Sequence, residues 1–186
     1  MNKHHLEFLA SPDWARWLES ETLPWVLGVA DLGDDVLEIG PGPGITTAII
    51  RQRAPRMTLL EIDPWSVRQL REKFADGVEV VEGDATRMPF DDGRFSAAIC
   101  LTMFHHVPSA ELQDVLVAEA HRVLRPGGLF LGSDSTASWR FTLYHLGDTC
   151  VPVDPDRFGD RLQRAGFVDP KISKAGGSFR FRASKP

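Results

Sequence analysis

The stretch Val36-Leu37-Glu38-Ile39-Gly40-Pro41-Gly42-Pro43-Gly44 decides how this chain folds. Val36 to Ile39 reads as a short buried strand, β-branched and apolar except for Glu38. Glycines follow at alternate positions, Gly40, Gly42 and Gly44. Ile45-Thr46-Thr47-Ala48-Ile49-Ile50 comes next, with an apolar helical face expected at 45, 48 and 49. Strand, glycine turn and helix together make a nucleotide-binding crossover. Glycine suits the turn because no Cβ then stands where a ligand lies against the backbone.

The spacing separates one class of ligand from another. A dinucleotide fingerprint, G-x-G-x-x-G, seats a pyrophosphate on the helix N-terminus. Here the third glycine, Gly44, falls one residue early, and Glu38 precedes the first glycine by one intervening residue. This E-x-G-x-G-x-G resembles motif I of the class I S-adenosylmethionine-dependent methyltransferases. That cofactor carries a sulfonium cation and no phosphate.

Outward from this motif, strands and helices alternate. Ser11-Pro12-Asp13 is a helix start, with a capping hydroxyl, a proline at the first position and an acid in the first turn. That helix is expected to carry Trp14, Trp17 and Leu18 on one face, and Pro24 opens a second short helix through Val29. Met57 to Ile62 reads as the second strand, and Asp63-Pro64 opens a helix with Val67, Leu70 and Phe74 inward. Val78 to Val81 and Ala97 to Leu101 are the third and fourth strands. Ser109 opens a long helix with Leu112, Val115, Leu116 and Val123 on one face, which Arg125-Pro126-Gly127-Gly128 stops. Leu129 to Gly132 is the fifth strand, and Pro155 to Ala165 the last helix. Phe167 to Ile172 and Ser178 to Phe181 read as final strands joined by a hairpin turn at Gly176-Gly177. The alternation predicts a parallel sheet covered on both faces, with an antiparallel addition at the end.

Composition bounds the function. The 186 residues are 42% hydrophobic and 25% charged, as in a globular domain. A net charge of −5 leaves no electrostatic footprint for nucleic acid. No apolar run reaches the ~20 residues of a membrane span, and Met1-Asn2-Lys3-His4-His5 lacks the apolar core of a signal peptide. Cys100 and Cys150 form neither a disulfide framework nor a metal motif, and Cys100 reads as core. The expectation is a cytoplasmic protein with no nucleic-acid or membrane partner. Whether the chain forms a homo-oligomer stays open at this point.

In open parallel sheets, ligands bind beyond the carboxyl ends of the strands, where the strand order reverses. Glu61, at the end of the second strand, is placed to accept hydrogen bonds from ribose hydroxyls, with Ile62 beside it. Asp63 competes for that role, but Pro64 directly after it marks it as a helix cap. Gly83-Asp84-Ala85 follows the third strand. The Asp84 carboxylate can accept from an exocyclic adenine amine, and the Ala85 amide can donate to the ring. The alternative for Asp84 is an Asp-initiated turn.

Val80-Val81-Glu82-Gly83-Asp84-Ala85-Thr86-Arg87-Met88-Pro89-Phe90, Phe104-His105-His106-Val107 and Arg122-Val123-Leu124-Arg125-Pro126-Gly127-Gly128 extend the resemblance. They are similar, in order and interval, to motifs of the small-molecule, type-11 branch of class I methyltransferases. The resemblance covers about residues 35–135 well and continues loosely through Leu162, Ala165, Gly166 and Phe167. It implies a single Rossmann-like α/β domain: a mostly parallel seven-stranded sheet with an antiparallel last strand and helices on both faces. It implies S-adenosyl-L-methionine as methyl donor. Glu38, Gly40, Gly42 and Gly44 then form the methionine end, Glu61 and Ile62 the ribose site, Asp84 and Ala85 the adenine site. The backbone at Leu101 faces the cofactor's amino group.

The acceptor side is read from position. His105 and His106 follow the fourth strand and titrate near neutral pH, which makes them candidate bases. The alternative is that the pair shapes the loop and one of them packs inside. Thr102 and Met103 border the reacting carbon from strand four, and Asp134 from strand five. Residues 1–30 read as an N-terminal helical lid, with Trp14 and Trp17 as acceptor contacts, and 31–186 as the catalytic domain. The segment Trp139 to Asp148, with Tyr144 and His145, is the other candidate cover.

Absences narrow the acceptor. Leu101-Thr102-Met103-Phe104 stands where enzymes acting on base amino groups carry [Asp/Asn]-Pro-Pro-aromatic. Neither cysteine follows a proline, as cytosine-C5 enzymes require. The only asparagine is Asn2, so the Asp-plus-Asp-Asn metal set of catechol-type O-methyltransferases cannot be built. The expectation is metal-independent methyl transfer to O, N or C of a small organic molecule. Two other readings stay open. One is a catalytically silent S-adenosylmethionine-binding protein. The other is a nicotinamide-dependent oxidoreductase, opposed by the glycine spacing and by the lack of a Tyr-x-x-x-Lys, since Asp148 stands four residues after Tyr144, the only tyrosine.

Overall fold

The computed structural model describes residues 11–186. Residues 1–10 of the expected lid therefore lie outside the described residues.

Seven strands form one sheet in the order β3-β2-β1-β4-β5-β7-β6. They are β1 (Asp35–Ile39), β2 (Arg56–Glu61), β3 (Val78–Glu82), β4 (Phe95–Leu101), β5 (Leu124–Ser135), β6 (Val168–Ala175) and β7 (Ser178–Ser184). The first five run parallel, and β7 is antiparallel to both β5 and β6. The strand order reverses between β1 and β4, so a crevice opens beyond their carboxyl ends. The helices are α1 (Pro12–Trp17), α2 (Leu23–Leu27), α3 (Ile45–Ile50), α4 (Pro64–Lys73), α5 (Ala110–Val123), α6 (Trp139–Tyr144) and α7 (Pro155–Arg164). Among the described residues, no helix is long and apolar enough to cross a membrane.

The central strands are buried on both faces, which is why they read as unbroken apolar runs. Every residue of β4 is buried. One face of the sheet packs Leu37, Ile39, Phe130 and Phe181 against Leu116 and Val117 of α5, Phe158 of α7 and Phe104. The other packs Val36, Leu59, Ile99 and Leu131 against α2, α3 and α4. The helix starts follow their caps: Ser11, Asp63, Ser109, Ser138 and Asp154 each accept from a backbone N–H in the first turn.

Three expectations change. The buried residues of α3 are Thr46, Thr47 and Ile50, while Ala48 and Ile49 of the expected face are only partly buried against the core and Ile45 lines the cleft. The reason is Glu38, a buried carboxylate that draws the two threonine hydroxyls inward. On α5 the buried stripe is Gln113, Leu116, Val117, Ala120 and Val123, while Leu112 and Val115 are exposed. Arg125 to Gly128 does not separate helix from strand. Leu124 already pairs with Phe95, pairing resumes at Leu129 with Ala97, and the four residues between bulge out of β5.

Candidate functional site

The first wall of the crevice is the turn from β1 to α3. Gly40, Gly42 and Gly44 all have positive φ, at 65°, 53° and 69°. Each glycine is also constrained differently in space. A Cβ on Gly40 would run into Met103, and one on Gly44 would lie 2.7 Å from both Leu70 and Phe74. A Cβ on Gly42 would meet nothing within 4 Å, because that residue faces the open cleft. The turn is fastened from behind. Thr46 Oγ1 donates to one oxygen of Glu38, and Thr47 Oγ1 donates to the other at 2.6 Å. Lys73 Nζ donates to the carbonyls of Pro43 and Gly44 at 2.8 and 3.2 Å. Burial pushes the Glu38 carboxyl above its usual range, against the pull of the two hydroxyls. Glu38 is thus behind the turn and not on the cleft wall.

The second wall comes from β2 and β3. Glu61 accepts from the Gly42 and Asp63 amides, at 3.3 and 2.9 Å, so it couples the glycine turn to the next strand end. It is 8% exposed, and burial raises its carboxyl above the usual range despite those amides. Asp63 caps α4 through Ser66, as the proline after it predicts. Asp84 accepts from the amide and hydroxyl of Thr86, both at 2.8 Å, the Asx turn that was its alternative reading. It still lines the cleft, together with Gly83 and Ala85.

The far wall is built from β4 onward. Leu101, Thr102 and Met103 line it, and Thr102 holds φ 50°, a left-handed conformation rare for a β-branched residue. A turn of 3-10 helix, Phe104–His106, follows. Its two histidines part company. His106 lines the cleft, while His105 is 2% exposed and lies behind it. His105 Nδ1 sits 2.6 Å from Asp134 Oδ1, and the His105 amide donates to Asp134 Oδ2 at 3.2 Å. Asp134 is fully buried at the end of β5.

All these walls belong to one cleft of about 600 Å³, inside the roughly 300–1,000 Å³ span of small-molecule pockets. Of the expected acceptor contacts, Trp14, Thr102 and Met103 line it. Trp17 stacks on Trp14 but is not on the wall, and Tyr144 is exposed. His145 is buried beside His105 and His106, not on the wall. Leu18, Asp148 and Thr149 line the mouth as well.

Gln113 was not foreseen. It is buried, and its Nε2 donates to the carbonyls of Phe104 at 3.0 Å and Val151 at 2.8 Å. It clamps the histidine turn to the 149–151 segment, which the His105 carbonyl also holds by accepting from the Val151 amide. A polar residue on the inward face of an amphipathic helix was the one available signal.

Comparison with known proteins agrees with this geometry. Residues 37–132 match the family described as "Methyltransferase domain", type 11. A rice (Oryza sativa subsp. japonica) protein named 2-methyl-6-phytyl-1,4-hydroquinone methyltransferase 1, chloroplastic, is 28% identical over 77% of this chain and 44% of its own length. A fatty-acid O-methyltransferase of Mycolicibacterium smegmatis is 35% identical over 55% of this chain and 38% of its own. The chain thus spans less than half the length of these curated relatives. The crystal structure of an S-adenosylmethionine-dependent methyltransferase from Aquifex aeolicus superposes with a TM-score of 0.77 at 18% identity, covering 100% of both chains.

Proposed function

The chain belongs to the class I S-adenosylmethionine-dependent methyltransferases, in the type-11 branch, and from that premise we propose that it methylates a small organic molecule held in this cleft. The observation that carries the reading is the convergence of three strand ends on one cavity. Gly40 to Pro43 of the turn, Glu61 and Asp84 line the same cleft, Gly44 stands behind it, and Gly42 presents bare backbone to it. Those residues fit the cofactor: Glu61 for the ribose hydroxyls, Asp84 and the Ala85 amide for adenine, the glycine turn and Leu101 for the methionine end. When bound, the cofactor supplies a methyl group already activated by its sulfonium.

The chain's own task is to bind, align and keep the site dry. Trp14, Leu18, Leu112 and Val107 give the acceptor side apolar surface. The relatives named above act on a hydroquinone and a fatty acid, and an apolar acceptor offering O, N or C is the kind this mouth favours. His106, on the wall, is placed to take a proton from an acceptor that must lose one. The described part of the lid segment, residues 11–30, and the segment 139–149 flank the mouth and cover it during transfer.

Calorimetric titration tests the cofactor half: S-adenosylhomocysteine should bind and NAD should not. A panel of phenols, carboxylic acids and amines with labelled S-adenosylmethionine tests the acceptor half. NAD binding without S-adenosylhomocysteine heat would overturn the reading.

A further inference from the structure

His105, His106 and His145 offer one ring nitrogen each, all within 4.8 Å of one another. Their ring centroids lie 4.1 to 5.4 Å apart. The hydrogen bonds around them share one pattern. The Nδ1 of His105 lies 2.6 Å from the Asp134 carboxylate. The Nδ1 of His145 lies 2.8 Å from the Phe141 carbonyl, and that of His106 3.3 Å from the Thr149 carbonyl. An oxygen acceptor at each Nδ1 keeps the proton there, so a neutral ring carries its lone pair on Nε2. The Nε2 of His105 is buried and has no hydrogen-bond partner. A buried polar atom left this way costs stability unless something occupies it.

We propose that these three histidines form a binding site for a divalent first-row transition metal, with its open coordination position turned toward the cleft. Imidazole suits zinc, copper, iron and nickel. Three ligands plus one open position is the donor count of reactive rather than structural zinc sites. The groups that would orient such ligands are already in place: a carboxylate behind one ring and backbone carbonyls behind the others orient the rings and fix the tautomers. The way in is through His106, which lines the cleft beside Asp148 and Thr149. Tetrahedral coordination at 2.0–2.1 Å brings ligand nitrogens to about 3.3 Å. The rings must therefore draw together; His145 is itself buried but directly follows α6, whose last residues Leu143 and Tyr144 are exposed.

The proposed site departs from the expectation of metal-independent transfer. That expectation rested on the missing Asp-plus-Asp-Asn set, whereas here imidazoles supply the donors. Resting on the methyltransferase reading, the fourth ligand is a lone pair of the acceptor, and with its Nε2 on the metal His106 serves as a ligand in place of the base role given above.

The test uses tag-free full-length protein stripped of metal, then Co²⁺ alone. One equivalent should bind with visible bands of a four- or five-coordinate nitrogen site. Added azide should shift those bands by entering the open position. Bands that azide leaves unchanged would overturn the open position. His106→Gln should weaken Co²⁺ binding by about a hundredfold or more, beyond the loss typical of removing a group that only hydrogen-bonds a ligand. S-adenosylhomocysteine affinity, measured alongside, should stay within a few-fold, which reports the fold and the cofactor reading separately. A measurement on the unaltered protein stands beside the variant. The proton spectrum of the cobalt form should show three hyperfine-shifted exchangeable signals, one Nδ1–H per ring. Fewer than three, or equal Co²⁺ binding by the variant and the unaltered protein, would overturn the site.

Discussion

The two halves of the cleft are built by different means. On the cofactor side each group sits at a strand end, and its partners come from the same turn or the neighbouring strand. Glu61 holds the Gly42 and Asp63 amides, Asp84 holds Thr86, and Glu38 holds Thr46 and Thr47. On the acceptor side the pieces are remote in sequence: Trp14, His106, Asp134, His145 and Asp148 meet only in the folded chain. Sheet register positions the first half, and loops pinned by single side chains such as Gln113 position the second. The difference predicts that, with the sides assigned as proposed, changes on the cofactor side disturb folding and binding together, while changes on the acceptor side leave the core intact.

The harshest way to break that comparison is at Gly44. Gly44→Val adds a branched side chain at φ 69°, against Leu70 and Phe74. It should cost about 2–5 kcal/mol from backbone strain and overpacking together. Urea denaturation reads the loss, and cofactor binding should disappear with it. A stability within error of the parent would mean that the turn is not part of the core.

Next comes Glu61→Ala. Hydrogen bonds to a charged carboxylate contribute roughly 1.5–3 kcal/mol, so S-adenosylhomocysteine affinity should fall by about one to two decades. Calorimetry checks it. If Asp63→Ala does the damage instead, the ribose acid has been placed on the wrong residue, against its observed capping of α4.

Trp14→Ala sharpens the contrast from the acceptor side. Trp14 lines the mouth and stacks on Trp17 at 4.9 Å. Losing one aromatic contact of about 0.5–1.5 kcal/mol should slow turnover a few-fold to tenfold. Cofactor affinity should hold. An equal fall in both would erase the division between the halves.

The smallest effect is a pH dependence at Glu38. Its folded carboxyl is raised above the ordinary 4.5, so the folded state holds that proton to higher pH than the unfolded chain does. Its contribution to stability is full in acid and is lost as pH rises from 4.5 through the raised value. Glu38→Gln carries no such proton. The stability of the variant minus that of the parent should therefore grow from acidic to neutral pH. A difference that shrinks over that interval would show that the two threonine hydroxyls outweigh burial.

The same division decides what could be read from the sequence. The glycine turn, Glu61, the Asp63 cap and Asp84 were legible because their signals are local: a strand, a turn residue and a helix start in succession. The inward faces of α3 and α5 were partly misassigned because periodicity counts apolar residues. It has no means of knowing that buried Glu38 pulls Thr46 and Thr47 inward, or that Gln113 is wanted inside for two carbonyls. The bulge at Arg125 to Gly128 was read as a stop, since Pro and Gly signal a break without saying where pairing resumes. His105 and His106 were visible as neighbours. Their convergence with His145 was not, because no spacing rule links a loop after β4 to the end of a helix after β5.

The fastening of the glycine turn has one further consequence, for traffic through the site. Glu38, Thr46, Thr47 and Lys73 satisfy one another and the loop carbonyls from the side away from the cleft. The turn therefore keeps its shape whether a molecule rests against it or not. Arrival involves no loop ordering at this position, and departure leaves nothing to reassemble. On the cofactor placement proposed above, donor meets a surface whose shape is set by the protein's own hydrogen bonds, so the binding cost at this wall excludes loop ordering.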